Sequence, residues 1–197
     1  MKITSSTGLE INSAFTVGGA SGKAAGKETI WIPASAMQPT TSNGCSALTT
    51  NEISANMPEM VVLDFDQTSA EYAQFSICFP KSWDEGTVSF QFFWSGIAAT
   101  TGVTMQLQGV AVDDNQNING NGFGTAVSVN DNALGGTSKM AISAESGAMT
   151  IAETPSENDI CYFRLGRNPS DGNDTMACDL RLHGIKLFFT TNAANDA

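Results

Sequence analysis

Residues 86–96, GTVSFQFFWSG, place Val88, Phe90, Phe92 and Trp94 on one side of an extended chain, with Thr87, Ser89 and Gln91 on the other. The same two-residue period returns in YAQFSICF, where Phe75, Ile77 and Phe79 share a face, and in VTMQLQGVAV, where Val103, Met105 and Leu107 oppose Thr104, Gln106 and Gln108. TIWIP, MVVLDFD, GTAVSVND, DICYFRLGR and MACDLRLHGIKLFFTT add further strands, and AISAESGAMTIAE reads as two short strands or a strand and a turn. Pro80 closes its strand because it has no N–H to give to a ladder. No segment carries a helical period, although SAMQP and EYAQF each have room for one helical turn. Aromatic faces on successive strands bury best against a second sheet about 10 Å away. The pattern therefore predicts an all-β chain: a single jelly-roll-like β-sandwich over residues 28–191.

The ends differ from this body. Residues 1–27 contain GGASGKAAGK, whose glycines and alanines bury too little surface to hold a conformation alone, so they read as an extended arm held by a neighbouring subunit. Residues 192–197 form a short tail. With 197 residues, 41% of them hydrophobic and 15% charged, the chain has material for one sizeable core. Its net charge of −11 repels phosphate backbones and anionic lipid, which argues against nucleic-acid and membrane partners. MKITSSTGLEINSAF has no apolar run of signal-peptide length, so a cytosolic site of synthesis is expected.

Candidate chemistry is sparse. Cys45, Cys78, Cys161 and Cys178 form no C-x-x-C pair, and Cys78 and Cys161, inside apolar runs, are expected to be small buried hydrophobes. His183, the only histidine, lacks a recognisable nucleophile and acid, and reads as a solvated or hydrogen-bonded strand residue. GASGKAAGK fails the phosphate-loop spacing, with Val17 at the first glycine position and Ala24 after Lys23. Asp171, Asn173 and Asp174 place three oxygen donors within four residues, a set able to hold calcium weakly but also an ordinary turn. Asn117, Asn119 and Asn121 start a calcium-like loop that lacks acids and ends on Ser128. Asp64 and Asp66 share a strand face, without the cleft that glycoside hydrolysis requires. Of Trp31, Trp83 and Trp94, Trp83 in KSWDEG alone reads as free of a strand core, and it is the expected ligand contact. No catalytic residue, metal or cofactor is expected.

ETIWIPASAM, VVLDFD, EYAQFSICFPKSWDEGTVSFQFFW, LQGVAV and RLHGIKLFFTTNAANDA together resemble a family of small proteins encoded in the structural gene clusters of tailed bacteriophages, particularly marine ones. PKSW-x-x-G-T-V and GIKLF-x-T-T are the most specific elements, and the likeness covers most of residues 28–197. The resemblance implies a non-enzymatic virion protein. The expected role is a trimeric head decoration or cement protein that binds the major capsid protein, fastened by residues 1–27. The alternative is a receptor- or carbohydrate-binding module of a tail or head fibre that meets a host glycan through Trp83 and the loops at 113–122 and 168–175.

Overall fold

The computed structural model describes residues 26–192 and two short strands before them, β1 (Thr16–Val17) and β2 (Ala20–Ser21), which pair antiparallel. The rest of the expected arm, and residues 193–197 of the expected tail, lie outside the described residues. The body follows as β3 (Lys27–Pro33), a 3-10 turn at Ala34–Ala36, β4 (Gln38–Pro39), β5 (Thr49–Glu52), β6 (Glu59–Phe65) and β7 (Glu71–Ile77). It continues as β8 (Ser89–Ser95), β9 (Gly102–Val112), β10 (Val127–Asn132), β11 (Ala141–Ile142), β12 (Ile160–Arg167) and β13 (Leu180–Thr190). The described residues form no α-helix. SAMQP does carry part of the 3-10 turn, while EYAQF is wholly strand.

Two antiparallel sheets result. One has the order β10-β9-β12-β7-β4; the other runs β11-β8-β13-β6-β5, with β3 also paired to β13. From β3 to β13 the chain passes from one sheet to the other at every connection except β5 to β6 and β9 to β10, the winding of a jelly roll. The eleven-residue β13 borders β8 on one side and, on the other, β6 along its first part and β3 along its second. Gly26, expected in the arm, already belongs to the sandwich, because its carbonyl accepts from the Thr191 N–H at 2.7 Å.

The alternation decides which side of each sheet is buried. Phe90, Phe92 and Trp94 of β8, with Leu182, Ile185 and Leu187 of β13, meet Met105 and Leu107 of β9 and Phe163 and Leu165 of β12 in one continuous core. The Trp94 indole N–H ties the sheets together by donating to the Asp131 carboxylate on β10 at 2.8 Å. At the end of β12 the buried Arg167 points inward. Its Nε and Nη2 donate to Asp174 at 3.0 and 2.8 Å, and its remaining N–H groups reach the carbonyls of Phe65, Cys178 and Met176.

Candidate functional site

The outward face of the first sheet carries the polar half of the same alternation. Tyr72 and Gln74 of β7, Arg164 and Tyr162 of β12, Gln106 and Gln108 of β9, and Gln38 of β4 all stand there. Tyr72 and Tyr162 are the only tyrosines in the chain. A hollow of about 450 Å³ lies between Gln38, the 40–43 turn, Tyr72, Gln74 and Arg164. A second, of about 350 Å³, continues past the shared Gln38 and Gln74 to Tyr162. Together they form one groove across β4, β7 and β12.

The groove is built in advance of any ligand. Tyr72 pairs across the ladder with Gly166, where a Cβ would stand 2.5 Å from the tyrosine ring, so glycine lets that ring pack down on the sheet. The Arg164 guanidinium lies between two rings, 4.7 Å from the Tyr72 centroid and 4.8 Å from that of Phe123. Its Nε and Nη2 both donate to Gln108 Oε1, at 3.0 and 2.6 Å, and Gln108 in turn donates to the Gly124 carbonyl at 2.8 Å. The guanidinium is therefore fixed in direction. The amides of Gln38 and Gln74 make no hydrogen bond among the described residues and line both hollows.

A further hollow, of about 480 Å³, sits at one end of the sandwich beside Glu85, Thr87, Ile151, Glu153 and Pro155. Glu85, Glu153 and Thr154 take positive φ there. It offers carboxylates but no ring and no planar donor.

Trp83 is corrected by the structure. It is 4% exposed, stacked on Phe79 with centroids 4.0 Å apart, because the KSWDEG connection folds back and Trp83 bridges to Thr191. Trp94 is in the core, and Trp31 on β3 is the exposed tryptophan, at 47%. The candidate calcium set is divided: Asp174 is taken by Arg167, and Asp171 accepts from the backbone and side chain of Asn173, closing an ordinary turn, the other reading of these residues. Among the described residues no three His, Cys, Asp or Glu side chains gather to hold a metal ion. Asp64 is bound bidentately by Arg181 at 3.0 and 3.1 Å, while Asp66 caps the turn at Thr68 and Ser69. Cys161 is buried, its thiol pushed up to about 12 chiefly by that burial, whereas Cys78, expected inside, is exposed one residue beyond β7. No helix of the described residues is long and apolar enough to cross a membrane.

No protein-family model matches the sequence, and no curated protein is similar to it. Among solved structures, a family 35 carbohydrate-binding module from Clostridium thermocellum is similar at 11% identity and a TM-score of 0.49, over 81% of this chain and 97% of that one. A family 11 module from the same organism is similar at 11% identity and a TM-score of 0.45, over 84% and 96%. The xylan-binding module CBM15 is similar at 11% identity and a TM-score of 0.44, over 87% and 100%. Scores of this size fix no ligand; the sandwich is established by the strand ladders themselves.

His183 is the extra residue of a bulge where the register of β13 against β8 shifts between Leu182 and Gly184. Its Nε2 lies 3.0 Å from Ser95 Oγ. Burial first, then the Arg181 charge, hold the imidazole below its ordinary 6.5, with Asp64 opposing. The fold thus favours the neutral ring, and an acidifying solution protonates the unfolded chain first. The stabilisation from His183 is complete above 6.5 and is lost as pH falls through the lowered folded value. Urea midpoints at about pH 7.5 and about pH 5.5 check this: His183→Gln should flatten part of the wild-type decline, and parallel declines would refute it.

Proposed function

We propose that the chain is a non-catalytic glycan-binding β-sandwich whose site is the groove on the outward face of the β4-β7-β12 region. The observation that carries this is the juxtaposition of the Tyr72 ring, the direction-fixed Arg164 guanidinium and the Gln38 and Gln74 amides in one open groove. A pyranose presents C–H faces and pairs of neighbouring hydroxyls. Planar amides and a guanidinium match the hydroxyl pairs, while a ring covers the apolar face. The net charge of −11 directs the choice toward neutral glycans. Xylan, mixed-linkage β-glucan, β-1,4-linked galactan and a soluble cellulose derivative form the first panel, after the xylan, β-1,3-1,4-mixed-linked tetrasaccharide, β-1,4-galactotriose and non-crystalline cellulose named for similar sandwiches.

Affinity electrophoresis of the full chain through gels holding each glycan provides the test. Retardation by at least one is expected, with Arg164→Ala and Gln74→Ala each weakening it by about tenfold, the equivalent of one or two lost hydrogen bonds. No retardation in any gel, or variants that run like the wild type, would overturn the reading. No new reducing ends should appear on prolonged incubation. The phage resemblance supplies a carrier for such a module: a virion fibre in which the groove meets the host surface. On this reading few copies per particle are expected, and hundreds would return the role to head decoration.

A further inference from the structure

The outward face of the second sheet holds an aromatic surface that the groove does not use. Phe93 of β8 is the ladder partner of Ile142 on β11 and of Gly184 on β13, and Gly184 is the partner of Pro33 on β3. Trp31, two residues before Pro33, reaches over this row. A Cβ at Gly184 would stand 2.7 Å from two atoms of the Trp31 benzo ring and 2.6 Å from the Ile32 carbonyl oxygen. The glycine therefore admits the indole onto the sheet. Phe93 meets it edge to face, centroids 5.0 Å apart and planes at 86°. So supported by the backbone and by Phe93, the indole still leaves 47% of the residue's surface in water.

We infer that Trp31, seated on Gly184 and braced by Phe93, is a second saccharide-binding platform that stacks against the C–H face of a neutral pyranose on the sheet opposite the groove. Its ligand class rests on the glycan reading above; its position and residues do not.

The surroundings fit a sugar ring better than a protein. The Lys186 ammonium stands 5.3 Å from the Phe93 centroid, and Lys186 is the cross-strand partner of both Trp31 and Gln91. Ser95 and His183 lie on the other side of the Phe93 row, bonded to each other. The Lys186 ammonium thus borders the rings where a pyranose carries hydroxyls, whereas the Ser95 hydroxyl is buried against His183 and the Gln91 amide N–H is given to the Ser143 carbonyl. The apolar residues of the row are Trp31, Phe93 and Ile142, a narrow strip beside the roughly 800 Å² that each partner buries in a stable protein interface. Two platforms on opposite sheets would let one molecule bridge two glycan chains, raising avidity without new contacts in either site.

The test uses the indole N–H resonances of the full chain, of which Trp31 gives the only exposed one among Trp31, Trp83 and Trp94. The protein is titrated with xylohexaose, a mixed-linkage β-glucan tetrasaccharide, galactotriose and cellohexaose. The Trp31 signal, assigned through Trp31→Phe, is expected to shift with at least one sugar, and to keep shifting in a Gln74→Ala, Arg164→Ala double variant. In affinity gels that double variant should retain part of its retardation, and adding Trp31→Ala should abolish the remainder. If the groove responds while the Trp31 signal stays still, this inference falls and the glycan reading stands. If neither face responds to any of the four sugars, both fall. A Trp31 signal that moves with protein concentration alone assigns the face to a second copy of the chain and overturns the platform.

Discussion

Arg167→Ala lowers the unfolding free energy by about 3–5 kcal/mol, the cost of breaking a buried ion pair from one side. The side chains of Arg167 and Asp174 are 0% and 1% exposed, so the carboxylate would remain buried with its countercharge gone. The carbonyls of Phe65, Met176 and Cys178 would lose their donor at the same time. Those three carbonyls come from the end of β6 and from the 168–179 connection, so the guanidinium is the pin that seats this connection on the sandwich. A domain of ordinary stability has about 5–15 kcal/mol in total, so a large share would be lost. Arg167→Lys should recover little, because one ammonium cannot span the carboxylate and three carbonyls together. Urea denaturation of the three proteins decides it; an unfolding free energy for Arg167→Ala within about 1 kcal/mol of wild type would show that water replaces the guanidinium.

Trp94→Ala should cost a similar amount, about 3–5 kcal/mol, by a different route. The side chain is fully buried, tilted against Phe92 at 6.1 Å, and its N–H is the donor to Asp131 that joins β8 to β10 across the core. Truncation leaves a cavity between the sheets and a carboxylate without its partner. Trp94→Phe separates these effects: it restores most of the volume and leaves Asp131 unpaired, so its loss should be well under half that of the alanine variant. Equal losses in Phe and Ala would mean that the hydrogen bond, not the packing, dominates. Calorimetry of both variants supplies the comparison.

Both sites show how unevenly the sequence could be read. Trp94 is legible at once, because it alternates with Phe92 and Phe90 in a strand whose other face is Ser89, Gln91 and Phe93. Arg167 is not. It closes DICYFRLGR at an inward position, and only the return of the 168–179 connection over it brings Asp174 and the carbonyls that make a buried arginine stable. The tryptophans show the same contrast. In KSWDEG, Trp83 is flanked by polar residues and looks exposed, yet the connection bends back onto Phe79 and Thr191. Trp31, between Ile30 and Ile32, sits by alternation on the outward face, a sign that its usual place in cores obscures.

The groove was legible only in pieces. Alternation turns Gln106 and Gln108 outward on β9, and the same rule applied to EYAQFSI and ICYFRLG turns out Tyr72, Gln74, Tyr162 and Arg164. Nothing local says that Gln38 comes to lie beside Gln74, or that Arg164 falls between Tyr72 and Phe123.

The sequence by itself determined the all-β class, the longer strands and which side of them is buried, because the two-residue period is a local property and burying its apolar half is the dominant favourable free energy; β4 and β5, short and polar, carry no such period. The tertiary structure decided strand order, the place of the connections and therefore every functional neighbour. Those depend on pairings between distant segments, whose backbone hydrogen bonds are alike for all side chains and leave no mark on composition or spacing.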